Sequence, residues 1–182
     1  MQNVTIRQPA DSEFIAIRDL CAECPPLEVY PVHLYRIMLC YWGNTCLLAE
    51  QDGLAVGFVQ GLFSQTASAK TYFLWQIAVH PKNRKQGVGQ CLLRAIETTV
   101  RHAGGLFIHA TIDPENKPSR ALFTSHGYVN VSANQEATTT ELDQPAMRDY
   151  YGPGRHFMLY EKALINGRRP AENTGETNRH AD

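Results

Sequence analysis

The stretch Trp75-Gln76-Ile77-Ala78-Val79-His80-Pro81-Lys82-Asn83-Arg84-Lys85-Gln86-Gly87-Val88-Gly89 reads as a strand, a short polar loop and a helix opened by glycines. Tyr72, Phe73, Leu74, Trp75, Ile77 and Val79 make residues 71–79 the clearest strand in the chain. Its apolar residues fall on both faces, as in a central strand. Pro81 ends it, and a helix begins near Gln86 or Gly87. A helix N-terminus carries unpaired N–H groups and the positive end of the dipole. Glycines there let a phosphate approach the backbone, and Arg84 and Lys85 add positive charge. The segment therefore has the equipment for a pyrophosphate. Gly87-x-Gly89 by itself fits a glycine-softened helix start equally well. Two other phosphate motifs fail. Val88-Gly89-Gln90 stands where a Walker loop needs Gly-Lys-Ser/Thr, and Leu92 stands where a dinucleotide fingerprint needs its third glycine.

Outward from this segment, residues 4–7 read as an opening strand. A helix follows to about Ala22 with Asp11 as its cap. Pro31 opens a second helix whose apolar side is Leu34, Ile37, Met38 and Tyr41. Residues 45–50 and 54–62 pair as a hairpin about Asp52-Gly53. The helix after Gly87 sets Val88, Leu92, Ala95, Ile96 and Thr99 on one face and stops at Gly104-Gly105. Residues 106–112 form a strand. Asp113 and Asn116 are candidate caps for a helix ending at Gly127. Residues 128–131 and 156–162 read as strands, and the polar stretch 132–149 receives no assignment. The order β-α-α-β-β-β-α-β-α-β-β gives an α/β fold, a sheet of mixed direction with helices packed on it. One domain is expected over residues 1–165 and a disordered polar tail over 166–182.

Composition narrows the function. The 182 residues carry a formal charge of −1, so no global basic field attracts nucleic acid or an anionic membrane. No apolar run approaches the roughly 20 residues that span a bilayer. Met1-Gln2-Asn3-Val4 lacks a charged leader followed by an apolar stretch, so no signal peptide is expected. Five cysteines without a compact framework suggest reduced thiols and a cytoplasmic address. Cys21 and Cys24 form a lone C-x-x-C within a helical pattern. No second pair accompanies them, so two packed cysteines are expected and no metal site.

Arg84-Lys85-Gln86-Gly87-Val88-Gly89 is similar to the Arg/Gln-x-x-Gly-x-Gly/Ala loop of the GNAT N-acetyltransferases. Ile77-Ala78-Val79-His80-Pro81 resembles the strand end before that loop. Asn116-Lys117-Pro118-Ser119-Arg120-Ala121-Leu122-Phe123, then Gly127-Tyr128, resembles the family's second block. The resemblance implies a GNAT-like fold, a mixed and mostly antiparallel central sheet with helices on both faces. It implies acetyl-CoA as co-substrate and a small-molecule amine as acceptor, with a homodimer as one possible assembly. The implied coenzyme contacts are Ile77, Ala78 and Val79 along the pantetheine, Arg84, Lys85, Gln86, Gly87, Val88 and Gly89 at the pyrophosphate, and Asn116, Ser119 and Phe123 beyond. The implied oxyanion contact is a β-strand N–H. Many relatives carry a Tyr where this chain has Phe123, so that proton donor is missing. Tyr160, Ser119 and His126 remain as candidates, and no catalytic residue is assigned.

Within the family, several stretches resemble the L-2,4-diaminobutyrate acetyltransferases of ectoine synthesis. They are Asn44-Thr45-Cys46-Leu47-Leu48-Ala49-Glu50, Val56-Gly57-Phe58-Val59, residues 73–81 and residues 110–123. Leu27-Glu28 resembles that subfamily's Leu-Asp. A small cationic acceptor would meet Glu28 as a counter-charge and Trp75 as an aromatic wall. Tyr30-Pro31-Val32-His33 and Tyr151-Gly152-Pro153-Gly154-Arg155-His156 depart from the subfamily pattern. Arg155 stands where a carboxylate is expected, and an arginine there suits a substrate carboxylate. Another amine acceptor, or a non-catalytic coenzyme-A-binding module, stays open at this point.

Overall fold

The computed structural model describes residues 4–164. The tail expected over residues 166–182 lies outside them. The opening strand β1 is Thr5–Arg7. Helices α1 (Phe14–Ala22) and α2 (Val32–Trp42) follow. Strands β2 (Leu47–Gln51), β3 (Leu54–Phe63) and β4 (Thr71–Val79) form a meander. Then come α3 (Val88–His102), β5 (Phe107–Ile112), α4 (Lys117–Ser125) and β6 (Val129–Asn130). The chain ends in β7 (Thr138–Glu141), β8 (Gln144–Met147) and β9 (Met158–Ala163).

Seven strands make one sheet in the order β1-β2-β3-β4-β5-β9-β6, with β4 in the middle as its two-sided apolar pattern predicts. Every neighbouring pair is antiparallel except β4–β5. Two cores cover the two faces. One gathers Val88, Leu92, Leu93 and Ile96 of α3 with Phe123 of α4, and the other gathers Ile17 and Cys21 of α1 with Tyr35 and Leu39 of α2. The expected mixed sheet with helices on both faces is thus the observed architecture. Cys21 and Cys24 are free and buried, and burial pushes both thiols above their usual range.

Local chemistry explains most boundaries. Asp52 and Gly53 both take positive φ (52° and 77°), the two-residue hairpin turn that Asp-Gly favours. Asn116 caps α4, its Oδ1 accepting the Ser119 N–H at 3.1 Å. Two expectations are corrected. Asp11 does not cap α1 but opens a short 3-10 turn, where the Glu13 carboxylate takes the Ala10 N–H at 2.6 Å. In α2 the buried residues are Tyr35, Met38 and Leu39, while Ile37 and Tyr41 are 39% and 76% exposed. That helix is apolar nearly all round, so its period does not choose a face; packing against α1 and β3 does. Residues 132–149, unassigned from sequence, hold the β7–β8 hairpin, a separate two-stranded sheet. Its turn residues Leu142 and Asp143 have φ of 47° and 59°, a glycine-type geometry without a glycine to signal it.

At the edge of the sheet, Arg7 bridges Glu13 and Glu50 at 2.8 and 2.7 Å. Its guanidinium holds the Glu13 carboxyl at about 2. A depressed carboxyl stabilises the fold above the usual carboxylate range and loses that contribution as pH falls toward about 2. Glu13→Gln is therefore expected to flatten the acid limb of stability against pH, read by urea melts between about pH 5 and pH 2. On the α3 face, Lys162 Nζ meets the buried Glu97 carboxylate at 2.7 Å. Lys162→Met is expected to cost about 3 kcal/mol, because it strands a buried charge. Adding Glu97→Gln should return part of that loss in the same melts.

Candidate active site

The cleft begins at an irregularity in the central strand. Gln60 pairs with Gln76 and Gly61 with Leu74, so Trp75 is an extra residue in β4 without a partner on β3. A bulge of this kind bends the strand and shifts its side-chain phase by one residue. Tyr72 and Leu74, before it, belong to the α3 core. After it, Ile77 and Val79 pack on that core, whereas Trp75 and Ala78 pack on the α1–α2 side. Trp75 and Gln76 consequently face the same side although they are adjacent in a strand. Pairing of β4 with β5 also stops at Leu74–Ala110, so the two strands part beyond the bulge.

The main chain of this free segment points into the gap. His80 N–H donates to Val56 O on β3 at 2.9 Å. Alternation along an antiparallel strand then turns the peptide groups of Ile77 and Val79 away from β3, toward β5. Arg84 Nε donates to Val79 O at 3.0 Å and ties the next loop to this edge. That loop ends in Gly87, the N-cap of α3, with φ of +86° and no side-chain cap on the helix. Lys85 also has positive φ, 61°. Successive N–H groups of α3 therefore face the cleft with their dipole end and no internal partner.

The cleft has a volume of about 690 Å³ and runs from this helix end to the loop between α1 and α2. Ile77, Ala78, Val79, Arg84, Lys85, Gly87, Val88, Gly89, Asn116, Ser119 and Phe123 line it, and so do Glu28, Trp75 and Arg155. Gln86 is the one expected residue whose side chain does not: its amide turns back to Lys82 O at 3.0 Å. Of the three candidate proton donors only Ser119 lines the cleft. Tyr160 is buried in the α3 core, and His126 Nδ1 lies against Leu122 O at 3.0 Å. Phe123 is a packed core ring, edge-on to Tyr128 at 4.8 Å.

At the far end, Arg155 meets Glu28 at 3.3 Å across the mouth, and both side chains are about half exposed, 50% and 53%. Arg155 also lies over the rings of Tyr151 and Phe157, at 5.9 and 5.8 Å. Tyr30 stacks on Trp75 at 4.8 Å and donates its hydroxyl to Glu28 at 3.3 Å. Tyr151 shares a hydrogen bond with Thr111 at 2.9 Å, and burial raises its phenol above the ordinary range. Sequence reasoning named neither Tyr30 nor Tyr151 as a site residue. Both sit in stretches that depart from the resembled pattern, which is the signal that points to them. Among the described residues no group of three His, Cys, Asp or Glu side chains is arranged to hold a metal, and no helix is long and apolar enough to cross a membrane.

This splayed central strand and the glycine-opened helix after it set an unpaired strand edge beside an uncapped helix N-terminus. The acetyltransferase (GNAT) family model matches residues 14–128, and the chain belongs to that family. Among the curated relatives it matches, the L-2,4-diaminobutyric acid acetyltransferase of Halomonas elongata is 35% identical over 119 residues, 65% of this chain. That of Vibrio cholerae is 31% identical over 117 residues, 64% of this chain and 67% of its own. The match spans 62% of the length of the Halomonas protein. The structure of diaminobutyrate acetyltransferase from Paenibacillus lautus, in complex with L-2,4-diaminobutyric acid and coenzyme A, superposes with a TM-score of 0.70 at 21% identity. It covers 93% of this chain and 100% of that one. Ard1 from Thermoplasma volcanium superposes at 0.72 with 18% identity, over 89% and 98% of the two chains. At these identities the superpositions speak for the fold alone.

Gly87 is the glycine of the cleft held in the left-handed region. A methyl group there would meet nothing within 4 Å, so only the φ of +86° penalises it. Gly87→Ala is expected to lower stability by about 1–2 kcal/mol and Gly87→Asn by less, as read by chemical denaturation.

Proposed function

We propose that the chain is an acetyl-CoA-dependent N-acetyltransferase whose acceptor is the primary amine of a small diamino acid, L-2,4-diaminobutyrate being the first candidate. The observation that carries this reading is the opposed pair Glu28–Arg155 at the acceptor end of a cleft whose other end is an uncapped helix N-terminus. Family membership and the names of the relatives support it.

The residues fit the coenzyme. The N–H groups at the start of α3 hold the pyrophosphate, with Arg84 and Lys85 beside them. The Ile77–Val79 edge pairs with the pantetheine arm, as an added strand pairs with an exposed edge. Bound acetyl-CoA supplies an acyl thioester, open to attack by a neutral amine. The N–H groups of that same edge steady the negative charge on the carbonyl oxygen. Phe123 has no proton to give. Attack forms the C–N bond and breaks the C–S bond, and the departing thiolate, whose conjugate thiol has pKa near 8.5, takes up the proton that the amine nitrogen sheds, so no donor is needed at that position.

At the acceptor end, Glu28 holds an ammonium group and Arg155 holds a carboxylate. A zwitterion inserted between them exchanges one ion pair for two. Trp75 and Tyr30 form the apolar wall. The Glu28 loop meets the Tyr151–Arg155 segment through the 3.3 Å Glu28–Arg155 pair, which spans this end of the cleft. This favours an amino acid over a protein amine, and over a diamine that lacks a carboxylate.

Thiol release from acetyl-CoA, followed with a panel of small amines, tests the proposal. Turnover with L-2,4-diaminobutyrate is expected to exceed that with its decarboxylated analogue, 1,3-diaminopropane. Glu28→Ala should raise KM for the amine by about 10- to 100-fold, the range for a lost hydrogen bond to a charge. Arg155→Met should erase the preference for the carboxylate-bearing substrate. Silence across the panel with acetyl-CoA bound would overturn the small-amine reading in favour of a protein amine or a non-catalytic coenzyme-binding module, and equal turnover of both amines would overturn the role of Arg155.

A further inference from the structure

We infer that Gln76, backed by Gln60, is a positioning residue that sets the height of Glu28 over the cleft. The inference rests on the reading of Glu28 as the amine anchor. Gln76 is 3% exposed and Gln60 is fully buried. Gln76 Nε2 donates to the main-chain carbonyl of Glu28 at 2.7 Å, and Gln60 Nε2 donates to Gln76 Oε1 at 2.7 Å. The direction of this relay is fixed from its outer end. A carbonyl only accepts, so Gln76 presents its NH₂ to Glu28 and its oxygen to Gln60. Gln60 must then donate, and its own oxygen is left buried without a partner.

An orphaned buried oxygen costs stability, about 1–3 kcal/mol, so the relay is not the cheapest way to fill this space. Two apolar side chains of the same size would pack between β3, β4 and α1 without it. What the amides add is a hydrogen bond across 48 residues of sequence to one carbonyl of an otherwise irregular loop. The Trp75 bulge makes this possible, because it turns Gln76 to the same side as Trp75. One edge of β4 thereby fixes both halves of the acceptor end: Trp75 supplies the wall, and Gln76 the height of the carboxylate facing it. The Cys21 thiol donates to the same carbonyl at 3.5 Å, and Tyr35 Oη accepts the Tyr30 N–H at 3.3 Å, so the loop is held at both ends of the Glu28–Tyr30 segment.

The test uses Gln76→Met, close in size and unable to donate, and the double variant Gln60→Met/Gln76→Met, which removes the orphaned amide as well. Gln76→Met is expected to raise KM for the amine about 5- to 10-fold, the worth of one hydrogen bond, with KM for acetyl-CoA unchanged. Hydrogen exchange over residues 27–30 should quicken while α3 keeps its protection. The double variant should regain melting temperature yet keep the raised KM, which separates positioning from general stability. Unchanged exchange in the loop overturns the inference. So does an unchanged KM for the amine in Gln76→Met when Glu28→Ala raises it. If exchange quickens and neither Gln76→Met nor Glu28→Ala moves that KM, Glu28 is not the anchor, and the positioning role falls with it.

Discussion

One unpaired residue in the middle of the central strand shapes the rest of the molecule. Trp75 has no partner on β3, and from that point β4 changes phase and leaves β5. A sheet with a regular ladder through residues 71–79 would be closed on both sides, with its peptide groups spent on hydrogen bonds. The bulge keeps β4 bonded to β3 and releases its other edge. The two cores sit on opposite faces of the sheet and hold it rigid around the opening. The cleft is thus a fault in a well-packed sheet, and the elements on either side keep it open.

Everything that lines the cleft is arranged about that edge. At one end Arg84 bonds Val79 O and draws the glycine loop close to the strand, so the uncapped start of α3 lies in line with it. At the other end Tyr30 stacks on Trp75 and Gln76 bonds the Glu28 carbonyl. The two proposed binding regions, for coenzyme and for amine, share one strand of nine residues. That arrangement suits group transfer, where two reactants must meet at a fixed distance and approach. Charge is distributed accordingly, with Arg84 and Lys85 at the helix end and an opposed Glu28–Arg155 pair at the mouth.

Much of the fold was legible in the chain. The limits of β4, the Asp52-Gly53 hairpin and the glycine start of α3 are local effects of residue type and period. So are the Asn116 cap and the order of strands and helices up to residue 131. What escaped had physical reasons. The β7–β8 turn uses Leu142 and Asp143 in a conformation that glycine usually announces. The apolar residues of α2 surround the helix, so no period marks its buried side. For the cleft, the lining positions Gly87, Arg84 and Asn116 were readable because a glycine-opened helix start and a helix cap have local signatures. Tyr151 and Tyr30 were not, since they reach the cleft only through contacts between distant segments.

The sequence by itself determined the class of fold, the family and the end of the cleft built on a helix N-terminus, because each rests on interactions between near neighbours in the chain. The tertiary structure alone decided the bulge at Trp75, the alignment of Glu28 with Arg155 across 127 residues and the tie from Gln76 to the loop. A strand's pairing partner and register are properties of two segments at once. An opposed charge pair likewise exists only when packing brings its members together. Neither is written in the residue types of one stretch.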